Sequence, residues 1–279
     1  MRTRLLLKAA IVLCAAAVVP SAAGDGGPGL GGVQGWDGMK VGAIRYVAIP
    51  AIGSTTIAVI RRKGGRVLKF VSLRGRWGIP MVAMDGTTAG LMRDGHTLLL
   101  EEPTSGPYLR PWSSFAAVDM KKLRVLEPVR IRGHFSFDAL SPDGRYLYLV
   151  EFVSQQDFQR YRVRAYDMRT RKLLPKPVVD RREGETTMQG SPISRTTSPN
   201  GRWAYTLYGG AGHAFIHALD TTGVGAICID LWHKEPRQLF EFRLRFDNAG
   251  RLVVRGPRGR ILAAIDRRSH KIVSSVRHP

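Results

Sequence analysis

The chain is short of cysteine and of acidic residues. It has 2 Cys in 279 residues, and 22 Asp plus Glu stand against 43 Lys plus Arg, for a formal charge of +21. Cys14 falls within the apolar start, so Cys228 is the one thiol left in the remainder, and an internal disulfide is excluded there. Cys228 sits in the apolar stretch AICIDL, where a buried structural thiol is the plain reading. Long hydrophobic runs are confined to the first 23 residues, and no amphipathic helical stretch separates the strand-like segments that follow. The local signatures of common enzymes are missing as well. There is no HExxH, no Cys pair, no Asp-rich calcium loop, no GxSxG elbow and no phosphate-cradling glycine loop between a strand and a helix.

What the sequence does contain is a repeated phrase. LMRDGHTLLLEEP, LSPDGRYLYLVEF, TTSPNGRWAYTLYGG and RFDNAGRLVVRGP each place an apolar strand after a glycine turn, at Gly95, Gly144, Gly201 and Gly250. The glycines are 49, 57 and 49 residues apart, a period that suits propeller blades. A second phrase follows each one: a strand runs into Asp119, Asp167, Asp220 or Asp266, turns, and resumes as another strand. Asp favours such a turn because its side chain accepts from backbone amides two residues on. A weaker fifth copy, TTIAVIRRKGGRVLKFVSL, has Ile60 in place of the Asp and turns at Gly64-Gly65. Each unit reads as four strands, which predicts an all-β fold, a β-propeller of about five recognised four-stranded units (six if the start hides another). A β-sandwich is the alternative, disfavoured because it does not repeat one four-strand phrase.

SPDGRYLYL and SPNGRWAYTL resemble the inner turns of TolB-like and related WD40-like propeller repeats, and AYDMRTRKLL resembles the hairpins of YncE-like propellers. The likeness covers structural positions over nearly the whole chain. It implies the fold of a secreted bacterial repeat protein and carries no catalytic residue across, since fold alone does not convey function.

Three segments are expected. Residues 1–23 read as a Sec-type export signal, with Arg2, Arg4 and Lys8 before an apolar run and Ser21-Ala22-Ala23 at its end. Residues 24–40 read as a glycine-rich linker, and 41–279 as the propeller. With the signal removed no transmembrane span is expected, and the chain would reside outside the cytoplasm, in the envelope or beyond. The leader's three positive charges leave +18 on the rest. That charge would draw the protein to polyanions, and export points away from nucleic acid toward a protein partner or an anionic envelope polymer. Arg outnumbers Lys by 33 to 10, and a GC-rich genome would give the same excess. The oligomeric state is left open.

The inner strands of a propeller line its axis, so their polar residues are the first site candidates. Counting six back from the glycine turn gives Asp138 and Arg195 on neighbouring units, with Arg243 and Arg245 of the last unit adding charge. A structural ion pair or a wet channel is the competing reading. Three long connections, Pro103–Phe115, Ser154–Arg160 and Asp180–Ser194, offer recognition loops. In the first, Tyr108, Arg110 and Trp112 would suit a sugar or peptide, or fold back over a blade edge. No catalytic residue, metal ligand or cofactor is assigned. His213 and His217, four apart on a strand, would stand about 13 Å from each other, too far to share an ion. Glu101 and Glu102, adjacent on a strand, point to opposite faces. The reading is a binding or scaffold protein, with a lyase or hydrolase built across the channel mouth as the alternative.

Overall fold

The computed structural model describes residues 31–104, 109–180, 182, 186–210, 212–232 and 236–276. The expected signal and the start of the linker lie outside them. The described chain is a β-propeller of five antiparallel blades in sequence order. The first blade comprises Gly35–Val41, Ile44–Ala51, Ser54–Arg61 and Val67–Arg74. The second has Thr97–Glu101 and Trp112–Asp119, with Arg124–Val125 and Val129–Arg132 both pairing with the latter. The third is Phe135–Leu140, Tyr146–Phe152, Arg160–Asp167 and Lys172–Leu173, with Met188–Gln189 added on the third strand. The fourth is Ser191–Thr197, Trp203–Gly209, Ala214–Asp220 and Gly225–Trp232, and the fifth Arg243–Phe246, Leu252–Arg255, Ile261–Ile265 and Ile272–Ser275.

Apolar side chains on both faces of the blades explain the nearly continuous hydrophobic strands. Met39, Tyr46 and Ile57 of the first blade meet Leu98, Leu100 and Val118 of the second. Leu99 and Phe115 meet Phe137 and Leu149. Tyr148 and Val163 meet Phe215 and Leu219, and Tyr205 and Ile216 meet Leu252 and Val254. Each such side chain contributes roughly 1.5–3 kcal/mol by leaving water.

The glycine turns and the Asp turns fall at the same end of the molecule, because both follow strands that run in that direction. Thr97 pairs with Asp119, Tyr146 with Asp167 and Trp203 with Asp220, which sets each turn pair side by side.

The linker reading needs correction. Gly35–Val41 is the first strand of the first blade and Gly32–Val33 pairs with Ile79–Pro80, so strand structure begins inside the stretch 24–40. Within it, Gly32 and Gly38 serve close approach of backbones. A Cβ on Gly38 would fall 1.8 Å from the Tyr46 carbonyl oxygen, and one on Gly78 would lie 2.4 Å from the Gly32 carbonyl carbon.

The second blade also departs from four plain strands. Its inner position is filled in two pieces, Gly78 bonded to Glu101 and Gly90 to Leu99. Between them the chain leaves the blade. The amides of Met84 and Asp85 donate to the carbonyls of Pro192 and Ile193 on the inner strand of the fourth blade, at 2.8 and 3.1 Å. Ser194 Oγ donates to Asp85 Oδ2 at 2.7 Å. Second and fourth blades are not neighbours, so this turn crosses the space that the inner strands enclose.

Candidate ligand site at the axial end

Above that crossing turn lies a cavity of about 490 Å³, and it is at the end that carries the turns. Val82, Thr87 and Thr88 contribute its floor from the crossing segment. Its wall comes from the inner strands and turns of the third and fourth blades, from Phe137 to Pro142 and Arg195 to Gly201.

Three of the four axial candidates line it: Asp138, Arg195 and Arg245. The repeat register brings the first two together as neighbouring blades should. Arg195 Nη1 donates to Asp138 Oδ1 at 2.5 Å and to Thr206 Oγ1 at 2.9 Å, and Nη2 donates to the Asp138 carbonyl at 3.0 Å. Both side chains are 5% exposed. A buried pair bonded this completely ties the third blade to the fourth and leaves its carboxylate little capacity for a ligand. Arg243 is not among the lining residues. Its Nη1 donates to the Phe240 and Phe242 carbonyls, at 2.8 and 2.9 Å.

Sequence reasoning missed Arg93. It sits on the second blade's turn, lines the cavity, and reaches across to the Asn200 carbonyl at 3.1 Å. Arg245 donates to the Leu244 carbonyl at 2.9 Å. Both are exposed, and among the described residues neither is paired with a carboxylate. The cavity therefore holds one carboxylate, already spent on Arg195, and two further guanidiniums beside the hydroxyls of Thr88, Thr197 and Ser198. Concave walls of low dielectric focus such a potential. Among the described residues no His, Cys or Glu lines the cavity, and its one carboxylate, Asp138, is bonded to Arg195.

The Asp turns on this end consume their own negative charge. The amides of Lys121 and Lys122 donate to Asp119 Oδ1, both at 2.9 Å, and those of Arg169 and Thr170 to Asp167 Oδ1 at 2.8 and 3.0 Å. Asp220 is held at a pKa of about 2, since bonds from Arg202, Gly223 and Thr222 outweigh the burial that would raise it.

The loop candidates divide. Tyr108 lies outside the described residues. Arg110 is not a free recognition group: Nη2 donates to the Phe135 carbonyl at 2.7 Å, Nε to Ser113 Oγ at 2.9 Å and Nη1 to the Glu102 carbonyl at 2.9 Å. Its length and five donors stitch the second blade to the third instead. Trp112 is 43% exposed and carries the Arg130 guanidinium 4.7 Å from its ring centre. Beside Arg110 lies Glu101, whose burial and partners the sequence did not reveal. Glu101 is buried, 3.6 Å from Arg110, and accepts the Phe137 amide at 3.1 Å. Burial pushes it up to about 7, despite that amide and Arg110. His134, against the Arg110 amide at 3.2 Å, is lowered to about 4 by burial and by the guanidinium. His217 is likewise lowered to about 4 by burial, with Asp138 opposing.

No family model matches the chain, and no curated protein does. Among solved structures, the chain is similar to hydrazine synthase of Kuenenia stuttgartiensis at 22% identity and a TM-score of 0.41, over 66% of this chain and 46% of that one. It spans less than half of that relative's length. A functionally unknown protein from Desulfotomaculum acetoxidans gives 11% identity and a TM-score of 0.48, covering 89% and 69% of the two chains. The β-propeller domain of the Trilobed protease from Pyrococcus furiosus gives 10% and 0.45, covering 86% and 70%.

Proposed function

We propose that this chain is an exported propeller that works by binding, with its turn-bearing end as the working face and the axial cavity as the seat for an anionic group. The partner is an anionic polymer of the cell envelope, or a protein presenting such groups. The TolB-like and YncE-like phrasing of the turns and the Sec-type leader belong to this reading. One observation carries it: among the described residues Arg93 and Arg245 reach a concave site without carboxylate partners, while the one carboxylate lining it is locked to Arg195. The enzyme alternative is weaker, because the one carboxylate beside the lining hydroxyls is already bonded to Arg195.

Retention on an immobilised polyanion such as polygalacturonate, eluted with salt, tests the reading. Charge attraction at a surface is screened within about 8–10 Å near physiological ionic strength. The wild type should elute at higher salt than R93Q/R245Q. Elution of both at the same salt would remove the cavity from the binding surface.

A further inference from the structure

The first blade carries a feature that the axial cavity does not use. Between Asp37 and Asp85 the sequence contains no acidic residue and nine basic ones. Ten consecutive residues of this stretch, Arg61–Phe70, are exposed. They form a hairpin, closed by the Arg61 amide donating to the Arg66 carbonyl at 2.8 Å and turned by Gly64 and Gly65 at φ 79° and 65°. Five of the ten are basic, and three others are large and apolar: Val67 is 50% exposed, Leu68 37% and Phe70 63%. Among the described residues no ion pair involves a cation of this blade.

Positive charge of this density without internal partners calls for an anionic surface. Charge alone would suit a soluble polyanion equally well. The interleaved Val67, Leu68 and Phe70 decide the matter, since a hydrated polymer gives no reward for apolar surface and the headgroup–acyl boundary of a bilayer does. Basic side chains at such a boundary also keep their stems in apolar contact while their heads stay with lipid phosphates. We propose that the Arg61–Phe70 hairpin docks the protein on a bilayer surface rich in anionic lipid, Phe70 and Val67 entering the interface and Arg61, Arg62, Lys63 and Arg66 lying among the headgroups. The docking is independent of the axial cavity, which remains open to its own ligand.

Co-sedimentation of the full chain with vesicles of phosphatidylglycerol and phosphatidylcholine, against phosphatidylcholine alone, tests this. The wild type should sediment with the mixed vesicles and much less with the neutral ones. F70S, a change at an exposed position, should weaken vesicle binding by about tenfold, the worth of one apolar side chain at an interface. R61Q/R62Q/K63Q should abolish the preference for anionic vesicles, and R93Q/R245Q should leave it intact. Soluble dextran sulfate should bind F70S as well as it binds the wild type. The proposal fails if F70S binds mixed vesicles like the wild type, or if neutral vesicles do equally well. It fails also if only R93Q/R245Q loses binding, or if sedimentation velocity shows a dimer that F70S dissociates, which would make the hairpin a self-association surface.

Discussion

Burial keeps Glu101 neutral up to about pH 7, and it keeps His217 and His134 neutral down to about pH 4. The two kinds of group tilt stability in opposite directions. An unfolded chain ionises Glu near its ordinary value of 4.5, so between 4.5 and 7 the folded state binds the extra proton. Glu101's contribution is complete below 4.5 and is lost as pH rises through 7. The histidines reverse this: the unfolded state binds the extra proton between 4 and 6.5, so their contribution is present above 6.5 and is lost as pH falls through 4. For fully buried His217 the window is worth on the order of 3 kcal/mol. The opposing slopes offset one another between pH 4.5 and 6.5. E101Q should therefore gain stability with rising pH in this range more steeply than the wild type does, read from urea midpoints at several pH values. Parallel curves would mean that Glu101 is not held neutral. None of this was legible from Glu101-Glu102 as an adjacent pair, because the Phe137 amide that engages Glu101 comes 36 residues later on another blade. Asp138 and Arg195 were legible, because the repeat register gives both the same place on consecutive inner strands.

Among the elements, the Asp turns were the clearest in the sequence, and the structure gives the reason. Each Asp accepts amides two and three residues on, as Asp266 does from Arg268 and Ser269 at 3.2 and 2.8 Å. The fourth residue after the Asp then enters the left-handed region: Leu123 at φ 52°, Arg171 at 56°, Val224 at 50° and His270 at 56°. That position usually takes glycine, and the absence of glycine there hid this part of the turn from sequence reading. A side chain in this conformation costs roughly 1–2 kcal/mol, and glycine's extra unfolded-state entropy returns part of it. Leu123, 44% exposed, has little packing to lose. Leu123→Gly should stabilise the protein by about 0.5–1 kcal/mol in thermal denaturation; a drop in the midpoint would show that the leucine's contacts outweigh its strain. The turn that crosses the axis was not legible, since the stretch around Met81–Ala89 follows no strand period and its partners, Pro192 and Ile193, belong to a distant unit.

At the scale of the ring, the repeat period foretold five radial sheets but was silent about how they close. Gly32–Val33, ahead of the first blade, pairs with Ile79–Pro80 beside the second, whereas among the described residues no strand of the fifth sheet joins the first. Four interfaces each share an apolar cluster drawn from both blades. The far face of the first blade instead gathers Val47, Ala58 and Ile60, with Ile49 beside them, in a small cluster of its own. Phe70, paired with Ala58 on that face, stays 63% exposed, and Val273 of the fifth blade's last strand is 55% exposed. Opening a propeller at one seam disturbs least where the least apolar surface is shared, because local stability follows buried contact. Amide exchange should therefore be fastest, among strand amides, in Val67–Arg74 and Ile272–Ser275, and slowest in the second strands of the third and fourth blades, Tyr146–Phe152 and Trp203–Gly209. Ordering of this kind would mean that the ring breathes between its first and fifth blades while its middle stays intact. Equal protection across all five blades would show instead that the seam closes as firmly as the other interfaces and that the ring opens only by unfolding as a whole.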